Sequence, residues 1–215
     1  MLNKKVLFNG VLCMCVLVII KKGSKIGDKE LWNCIKNNPH GVGVGYYVNK
    51  QQVICKMGES SLNNMFNFAK KQLEEAYKKA TSDIMFHARI ATGSIHNEAN
   101  CHPFKLNDEC MLGHNGILKL LPSFKKISDT RLLCLLLKKG FLTKNELYDI
   151  VGYYNKVAFL YPQKTVILNE EQGIWENKIW YSNLSYLSYE NMFSYKGYGK
   201  KKENTFFEEN REFFA

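Results

Sequence analysis

Hydrophobic positions along this chain form strand-like runs in some segments and recur with a helical period in others. Several of the strand-like runs lie in the N-terminal part. Apolar runs at 15–20 and 84–90 predict buried strands. Residues 41–48 and 53–57 predict a hairpin joined by a polar turn at 49–52. The glycines of its first strand are then strand residues, because no helix opens after them as a dinucleotide-binding loop requires.

A helical period appears in four segments of the chain. The longest, at 60–80, begins with serines that can cap its first turn. In the last, at 143–154, Thr143 and Glu146 have the spacing of a capping box. The remaining two segments are 28–37 and 132–137.

Strand-like segments return towards the C-terminus. A polar loop at 92–108, too long to be a mere connection, leads to a short apolar stretch at 110–112. Further short strands are predicted at 157–161, 165–168 and 178–181. Strands, then helices, then strands again predict an α+β fold with two sheets and helices outside.

Composition narrows the class of protein. The 215 residues fit one medium-sized domain, and 46% hydrophobic with 23% charged residues is typical of a globular chain. The net charge of +10 comes from scattered lysine pairs, so nucleic-acid binding is not expected. The apolar segment at 4–20 is too short to span a membrane comfortably and has no cleavage site typical of a signal peptide, so membrane attachment and secretion are not expected.

The seven cysteines are an odd number and have no zinc-type spacing, which indicates a reducing, cytoplasmic setting. His87, His102 and His114 also lack the helical spacing of a two-histidine metal site. No metal site is therefore predicted, and structural or hydrogen-bonding roles are favoured for these histidines.

Several short motifs occur in an order that one protein family shares. The principal ones are Met14-Cys15, His87-Ala88-Arg89-Ile90-Ala91-Thr92, Gly113-His114-Asn115-Gly116-Ile117 and Ser128-Asp129-Thr130. Weaker ones are Asn38-Pro39-His40-Gly41-Val42-Gly43, Cys101-His102-Pro103-Phe104 and Trp180-Tyr181-Ser182-Asn183. Together they resemble class II glutamine amidotransferases over roughly residues 15–189.

The resemblance implies a four-layer αββα sandwich of the N-terminal nucleophile hydrolase type. It also implies catalytic roles for Cys15 as nucleophile and for the Asn115 side chain and Gly116 backbone N–H as oxyanion donors. Arg89 and Thr92 would bind the glutamine carboxylate and Asp129 its α-amine. A guanidinium grips a carboxylate with two parallel hydrogen bonds, and an ammonium suits a compact anion.

In this family the cysteine begins the mature chain and its own α-amine is the base, with a pKa of about 7.7–8.0 in model compounds. Here fourteen residues precede Cys15. Either translation starts at Met14 and methionine removal exposes Cys15, or residues 1–14 are a cleaved propeptide, or the leader stays attached and the domain is inactive. Two further departures lie beside Arg89: Ile90 stands where some relatives have an aromatic residue, and Thr92-Gly93-Ser94 stands where many relatives have Thr-His-Gly.

The predicted organisation is a leader at 1–14, an amidotransferase domain at 15–189 and a polar, aromatic tail at 190–215. Cys15 would form a γ-glutamyl thioester, releasing ammonia to a separate synthetase or ligase, and no cofactor is implied. Alternatives are a cysteine amidase for another amide, or a non-catalytic binding or regulatory module that retains its leader.

Overall fold

The computed structural model describes residues 7–8, 11–12 and 15–195. Five helices lie in this part of the chain: α1 (Asp28–Asn37), α2 (Leu62–Lys79), α3 (Asp129–Lys138), α4 (Lys144–Val151) and α5 (Tyr189–Ser194). The strands are β1 (Leu7–Phe8), β2 (Val11–Leu12), β3 (Val16–Ile20), β4 (Gly41–Val48), β5 (Gln51–Gly58), β6 (Ile84–Ala88), β7 (Phe104–Asn107), β8 (Cys110–Asn115), β9 (Lys156–Leu160), β10 (Thr165–Leu168), β11 (Ile174–Glu176) and β12 (Ile179–Tyr181).

Two antiparallel sheets form the centre of the domain, in agreement with the predicted α+β fold with two sheets. One has six strands in the order β11-β12-β3-β6-β4-β5, and the other has four in the order β10-β9-β8-β7. The β1-β2 pair, with Leu7 opposite Leu12, lies within the segment predicted as a leader and forms a separate two-stranded sheet.

The inner faces of the two sheets share a buried core. Its members come from both sheets and include Leu17, Met85, Met111, Ala158 and Trp180. Gly113 lets these faces approach closely, because a Cβ there would lie 2.5 Å from the Met85 sulfur. Burying an aromatic side chain such as Trp180 contributes roughly 2–3 kcal/mol of apolar transfer free energy.

Helices cover the outer faces. On the six-stranded sheet, Leu31 of α1 and Met65 of α2 belong to a core with the even-numbered residues of β3. On the four-stranded sheet, Leu133 of α3 and Leu147 of α4 pack in a third core with residues of β8 and β9. The predicted α+β class with two sheets is therefore confirmed.

Local capping signals place the helices as predicted. The Ser61 side chain accepts a hydrogen bond from the Asn64 N–H at the start of α2. Thr143 and Glu146 form both halves of the predicted capping box at α4. Side-chain oxygens at these positions satisfy N–H groups that have no partner inside a helix.

Two hairpins differ from the prediction for the same reason. Asn49 and Lys50 have φ of 49° and 68°, and Asn177 and Lys178 have φ of 50° and 65°. Two consecutive positive φ values make a two-residue turn, so the predicted four-residue turn at 49–52 is wrong and β5 begins at Gln51. The second turn creates β11, which the sequence pattern did not predict.

The segment predicted as a loop at 92–108 contains a 3-10 helical turn at Glu98–Asn100 and β7. Residues 101–103 fill the space left by the β4 glycines: a Cβ on Gly41 would lie 2.5 Å from the Cys101 sulfur, and one on Gly43 would lie 1.8 Å from the His102 carbonyl oxygen. These glycines are strand residues, as predicted, and their lack of side chains admits this segment between the sheets.

Towards the C-terminus, α5 crosses the predicted boundary at residue 190, and residues 196–215 of the predicted tail lie outside the described part of the chain. Across the described residues, no helix combines the length and apolar character needed to cross a membrane.

Candidate active site

The alternation of side chains along three strands directs three predicted residues to one edge of the inter-sheet space. Leu17, Met85 and Met111 belong to the inter-sheet core. Because side chains alternate with a period of two, Cys15, Arg89 and Asn115 continue the same faces of β3, β6 and β8. Val16 of β3 pairs with Ala88 of β6, so Cys15 and Arg89 follow at the same end of these two neighbouring strands.

A polar cavity opens at this edge. Five of the six predicted site residues line it: Cys15, Arg89, Thr92, Gly116 and Asp129. Ser94, His102, His114, Ser128 and Thr130 add further polar groups. The cavity is small, and most of the residues that line it are polar.

The Cys15 thiol is held against the backbone of Ile90. Its sulfur lies 3.2 Å from the Ile90 carbonyl oxygen, to which it donates, and 3.2 Å from the Ile90 N–H, from which it accepts. Burial raises the pKa of the Cys15 thiol to about 11, with Arg89 lowering it and Asp129 raising it. A thiol with this pKa is roughly one part in ten thousand thiolate at pH 7, so it needs a base to become a nucleophile.

Two asparagine amides converge on the carbonyl oxygen of Cys15. Asn115 Nδ2 donates to it, and Asn183 Nδ2 donates to it over 2.8 Å. Asn115 Oδ1 is buried, and among the described residues it has no hydrogen-bond partner. The structure therefore places Asn115 in direct contact with Cys15, although Asn115 is not among the residues that line the cavity.

Gly116 follows β8 with φ of 143°, a conformation that L side chains rarely adopt. A Cβ at this position would lie 1.9 Å from Asn155 Oδ1 and 3.0 Å from His114 Nε2. Glycine is needed here both for its backbone conformation and for the close approach of Asn155.

Arg89 is 3% exposed, and its guanidinium is fixed by the loop that follows β6. Nη1 donates to the Ile95 carbonyl oxygen over 3.0 Å, and Nη2 donates to Ser94 Oγ over 2.7 Å. Ser94 is one of the departures noted above, and it holds the arginine that the resemblance assigns to the substrate carboxylate. Thr92 is exposed and lines the cavity.

Asp129 is the first residue of α3, directly after the N-cap Ser128. Its Oδ2 accepts from the Leu118 N–H over 2.9 Å and its Oδ1 from the Thr130 N–H over 2.7 Å. These bonds fix the carboxylate between the backbone at Leu118 and the first turn of α3. A carboxylate fixed in this way can bind an ammonium group without first having to be ordered.

The three histidines singled out from the sequence are all buried around the site. His114 bonds through its ring to Thr130 Oγ1 over 2.8 Å and to Asn155 Oδ1 over 3.0 Å. The rings of His87 and His102 are in contact, with centroids 3.9 Å apart and planes tilted by 35°. Burial lowers the pKa of His87 to about 3 and that of His102 well below its usual value, so both are neutral at pH 7.

One group in the described part of the chain brings three metal-ligating atoms within 4.8 Å of one another: His40, Glu59 and His96. His40 Nδ1 accepts a hydrogen bond from the Ala91 N–H, so the neutral ring carries its proton on Nε2. That nitrogen then has no lone pair for a metal. Glu59 is engaged with His96 Nδ1 at 2.6 Å, and the arrangement is that of a hydrogen-bonded cluster.

Sequence reasoning did not assign a role to several residues that contact the site. Ser94, Asn155 and Asn183 each bond or contact a predicted residue, and Lys156 pairs with Asn115 across β8 and β9. Asn183 belongs to a motif quoted for the resemblance, which was its only signal. The others are brought to the site by sheet register and loop geometry, which have no short sequence signature.

No family model and no curated protein matches the chain. The described residues form an α+β fold with two antiparallel sheets and five helices.

Among solved structures, glutamine phosphoribosylpyrophosphate amidotransferase from B. subtilis, complexed with ADP and GMP, is similar with a TM-score of 0.51 and 18% identity over 78% of this chain. The structure of an allosteric regulatory enzyme of purine biosynthesis has a TM-score of 0.49 at 18% identity over 78% of this chain. The chain spans 41% of the length of each of these proteins. At this identity the likeness concerns the fold.

Proposed function

We propose that this domain is a class II glutamine amidotransferase in which Cys15 attacks the side-chain amide of glutamine, and that its layers form a four-layer αββα sandwich. The observation that carries the proposal is the convergence of motifs from four separate segments on one small polar cavity, with Cys15, Arg89, Gly116 and Asp129 in its lining. The helix-covered outer faces and the shared inner core of the two sheets support the layered arrangement.

The charges in the cavity suit an amino acid. Arg89, with its guanidinium already fixed by Ser94 and Ile95, would bind the α-carboxylate, and Thr92 would add a hydrogen bond. Asp129 would bind the α-ammonium group. A cation and an anion in the same cavity can orient a zwitterion, which favours glutamine over an amide without these groups.

The reaction would proceed in two steps. The Cys15 sulfur adds to the amide carbon while its proton passes to the base, and the oxyanion that forms is stabilised by Asn115 Nδ2 and the Gly116 N–H. The carbon–nitrogen bond then breaks, the proton passes to the leaving nitrogen, and ammonia departs from a γ-glutamyl thioester. Water adds to the thioester and releases glutamate and the free thiol.

The base would be the α-amine of Cys15 itself, which requires Cys15 to be the first residue of the active chain. The raised pKa of the Cys15 thiol supports this requirement, since burial leaves the thiol protonated at neutral pH. An α-amine with a pKa of about 7.7–8.0 could take up the proton, whereas a peptide nitrogen could not.

The ammonia would pass to a separate acceptor enzyme, a synthetase or ligase. No metal or organic cofactor is needed for the steps above.

The test is glutamate release by the purified protein, with its N-terminus and intact mass determined on the same sample. A chain that begins at Cys15 and releases glutamate, and that loses this activity in Cys15→Ala, is the expected result. Cys55→Ala is the matched control, because Cys55 is on β5 away from the cavity, and it should keep full activity.

Two results would count against the proposal. A chain beginning at Cys15 that hydrolyses other amides but not glutamine would indicate a different cysteine amidase. A chain that retains its leader and is inert, together with an inert protein expressed from Met14, would indicate a binding module.

A further inference from the structure

We infer that Asn183 is a positioning residue for the nucleophile: it anchors the Cys15 carbonyl oxygen jointly with Asn115, and so allows Asn115 to release this bond and turn its amide to the substrate oxyanion. The catalytic part of this inference rests on the proposed function. The shared anchor does not, because both amides contact the Cys15 oxygen in the structure.

The two amides differ in how firmly they are held. Asn183 Oδ1 accepts from the Ser185 N–H over 2.9 Å while its Nδ2 donates to Cys15, so both ends of the amide are bonded. Asn115 is bonded at Nδ2, but its buried Oδ1 has no partner among the described residues. Asn183 is therefore the fixed donor, and Asn115 is the donor that loses less when it turns.

The surroundings of Asn183 are built to hold it in place. It precedes the 3-10 helical turn Leu184–Tyr186, which is tied to α1 by Asn33 Nδ2 and Asn37 Nδ2 donating to the Tyr186 and Ser185 carbonyl oxygens. Its neighbour Ser182 bonds Leu17 twice: Ser182 Oγ accepts from the Leu17 N–H, and the Ser182 N–H donates to the Leu17 carbonyl oxygen. Residues 182–183 thus hold the start of β3, where the nucleophile lies.

A carbonyl oxygen has two lone pairs and can accept both amides at once. If Asn115 turns away, Asn183 still satisfies the Cys15 oxygen, so no polar atom of the nucleophile is left unpaired inside the protein. Without Asn183, the same turn would leave that oxygen without a donor, and Asn115 would be kept at Cys15. The prediction is that Asn183 affects the rate of the chemical step rather than the binding of glutamine.

The first experiment measures thermal unfolding of the full chain in a double-mutant cycle of Asn115→Ala and Asn183→Ala. Either amide alone can satisfy the shared oxygen, so each single change should lower Tm modestly and the double change should lower it by more than the sum of the two. An additive cycle overturns the inference. This readout does not depend on whether the wild-type protein releases glutamate, so it separates the inference from the proposed function.

The second experiment measures glutamate release on the chain that begins at Cys15. Asn183→Asp keeps the acceptor for the Ser185 N–H and the size of the side chain, but removes the donor to Cys15. We expect kcat to fall at least tenfold and KM for glutamine to change less than twofold. An unchanged kcat, or a fall in kcat/KM that is due to KM alone, overturns the inference.

Matched controls separate positioning from local stability. Asn37→Ala removes a donor to the same 3-10 turn without touching Cys15, and should leave kcat within twofold of wild type. If Asn183→Asp does not fold, Asn183→Ser takes its place, because its hydroxyl can still accept from the Ser185 N–H but is too short to reach the Cys15 oxygen. The same tenfold loss is expected of it.

Discussion

His40 Nδ1 accepts a hydrogen bond of 2.9 Å from the backbone N–H of Ala91, and this bond fixes the segment that leaves β6 beside the cavity. Ala91 lies between Arg89 and Thr92, so its position affects both residues proposed to bind the substrate carboxylate. The His40 ring is stacked on His96 with centroids 4.0 Å apart.

Replacing His40 with phenylalanine keeps a stacking ring but removes the acceptor. We expect His40→Phe to lower the free energy of unfolding by about 1 kcal/mol, the net value of one hydrogen bond, and to raise KM for glutamine. In His40→Asn the side-chain oxygen can take the place of Nδ1, and this variant should recover most of both losses. Urea unfolding and steady-state kinetics measure the two effects.

The same bond should make stability depend on pH. Burial, His96 and Arg89 lower the pKa of His40 below 6.5, so the unfolded chain binds a proton at this residue more readily than the folded protein does. The contribution of neutral His40 is therefore fully present above pH 6.5 and is lost as pH falls towards the folded pKa. The stability difference between wild type and His40→Phe should shrink in acid; a constant difference would contradict this account.

Lys156 is 4% exposed and lies opposite Asn115 in the sheet register. Burial lowers the pKa of its ammonium from 10.5 to about 8, with Glu171 acting in the opposite direction. At pH 7 the folded protein therefore bears a cost for this buried charge, and Lys156→Met, of similar length without the charge, should raise the free energy of unfolding by about 1–3 kcal/mol.

The direction in which stability changes with pH tests whether burial of the Lys156 charge is the cause. Between pH 8 and 10.5 the unfolded chain binds more protons at Lys156 than the folded protein does, so wild-type stability should rise with pH relative to Lys156→Met. Denaturant unfolding at several pH values measures the difference. If the variant is less stable than wild type at pH 7, Lys156 has a stabilising partner that outweighs the cost of burial.

Gly116→Ala tests the close approach of Asn155 at the proposed oxyanion site. A Cβ there would lie 1.9 Å from Asn155 Oδ1 on backbone with φ of 143°, so we expect a loss of about 2–4 kcal/mol in the free energy of unfolding. Gly140→Ala is the matched control: Gly140 has φ of 67°, but a Cβ would meet nothing within 4 Å, and about 1 kcal/mol is expected. Equal losses in the two variants would show that steric contact with Asn155 is unimportant.

Arg89→Lys retains the positive charge but loses the planar group that can form two parallel bonds to a carboxylate. We expect KM for glutamine to rise roughly 10- to 100-fold, which corresponds to the loss of one charge-assisted hydrogen bond. Ser94→Ala, which removes the 2.7 Å bond to Nη2, should raise KM by about threefold to tenfold. Arg131→Lys is the control, since Arg131 is outside the residues that line the cavity.

Local chemistry explains what the sequence predicted well. The bounds of α1 and β4 follow from hydrophobic period and flanking residues, and the starts of α2 and α4 from their caps, whereas α4 ends at Val151, short of the predicted residue 154. Both hairpin errors have one cause. The turns Asn49-Lys50 and Asn177-Lys178 place a lysine at positive φ where the usual sequence signal has glycine, so neither could be recognised as a two-residue turn.

The site could be predicted only where a residue belongs to a short motif. The structure brings Cys15, Arg89, Thr92, Gly116 and Asp129 to one cavity, although their roles remain predictions. Lys156 and Asn183 reach the site through pairing between segments far apart in the chain, with Asn183 lying 168 residues from Cys15. Such pairings depend on sheet register, which no local pattern of residues determines.

The location of the cavity at the common edge of two sheets has a consequence for how this domain could be tuned. Cys15 and Arg89 extend from one sheet and Asn115 from the other, so the thickness of the interior between them sets the gap across which they act. Met111 and Trp180 lie in this interior layer and are not among the residues that line the cavity, so replacing either with a larger or smaller residue would change that gap from a distance. Substitutions in this interior layer could therefore change activity even when every residue that lines the cavity is unchanged.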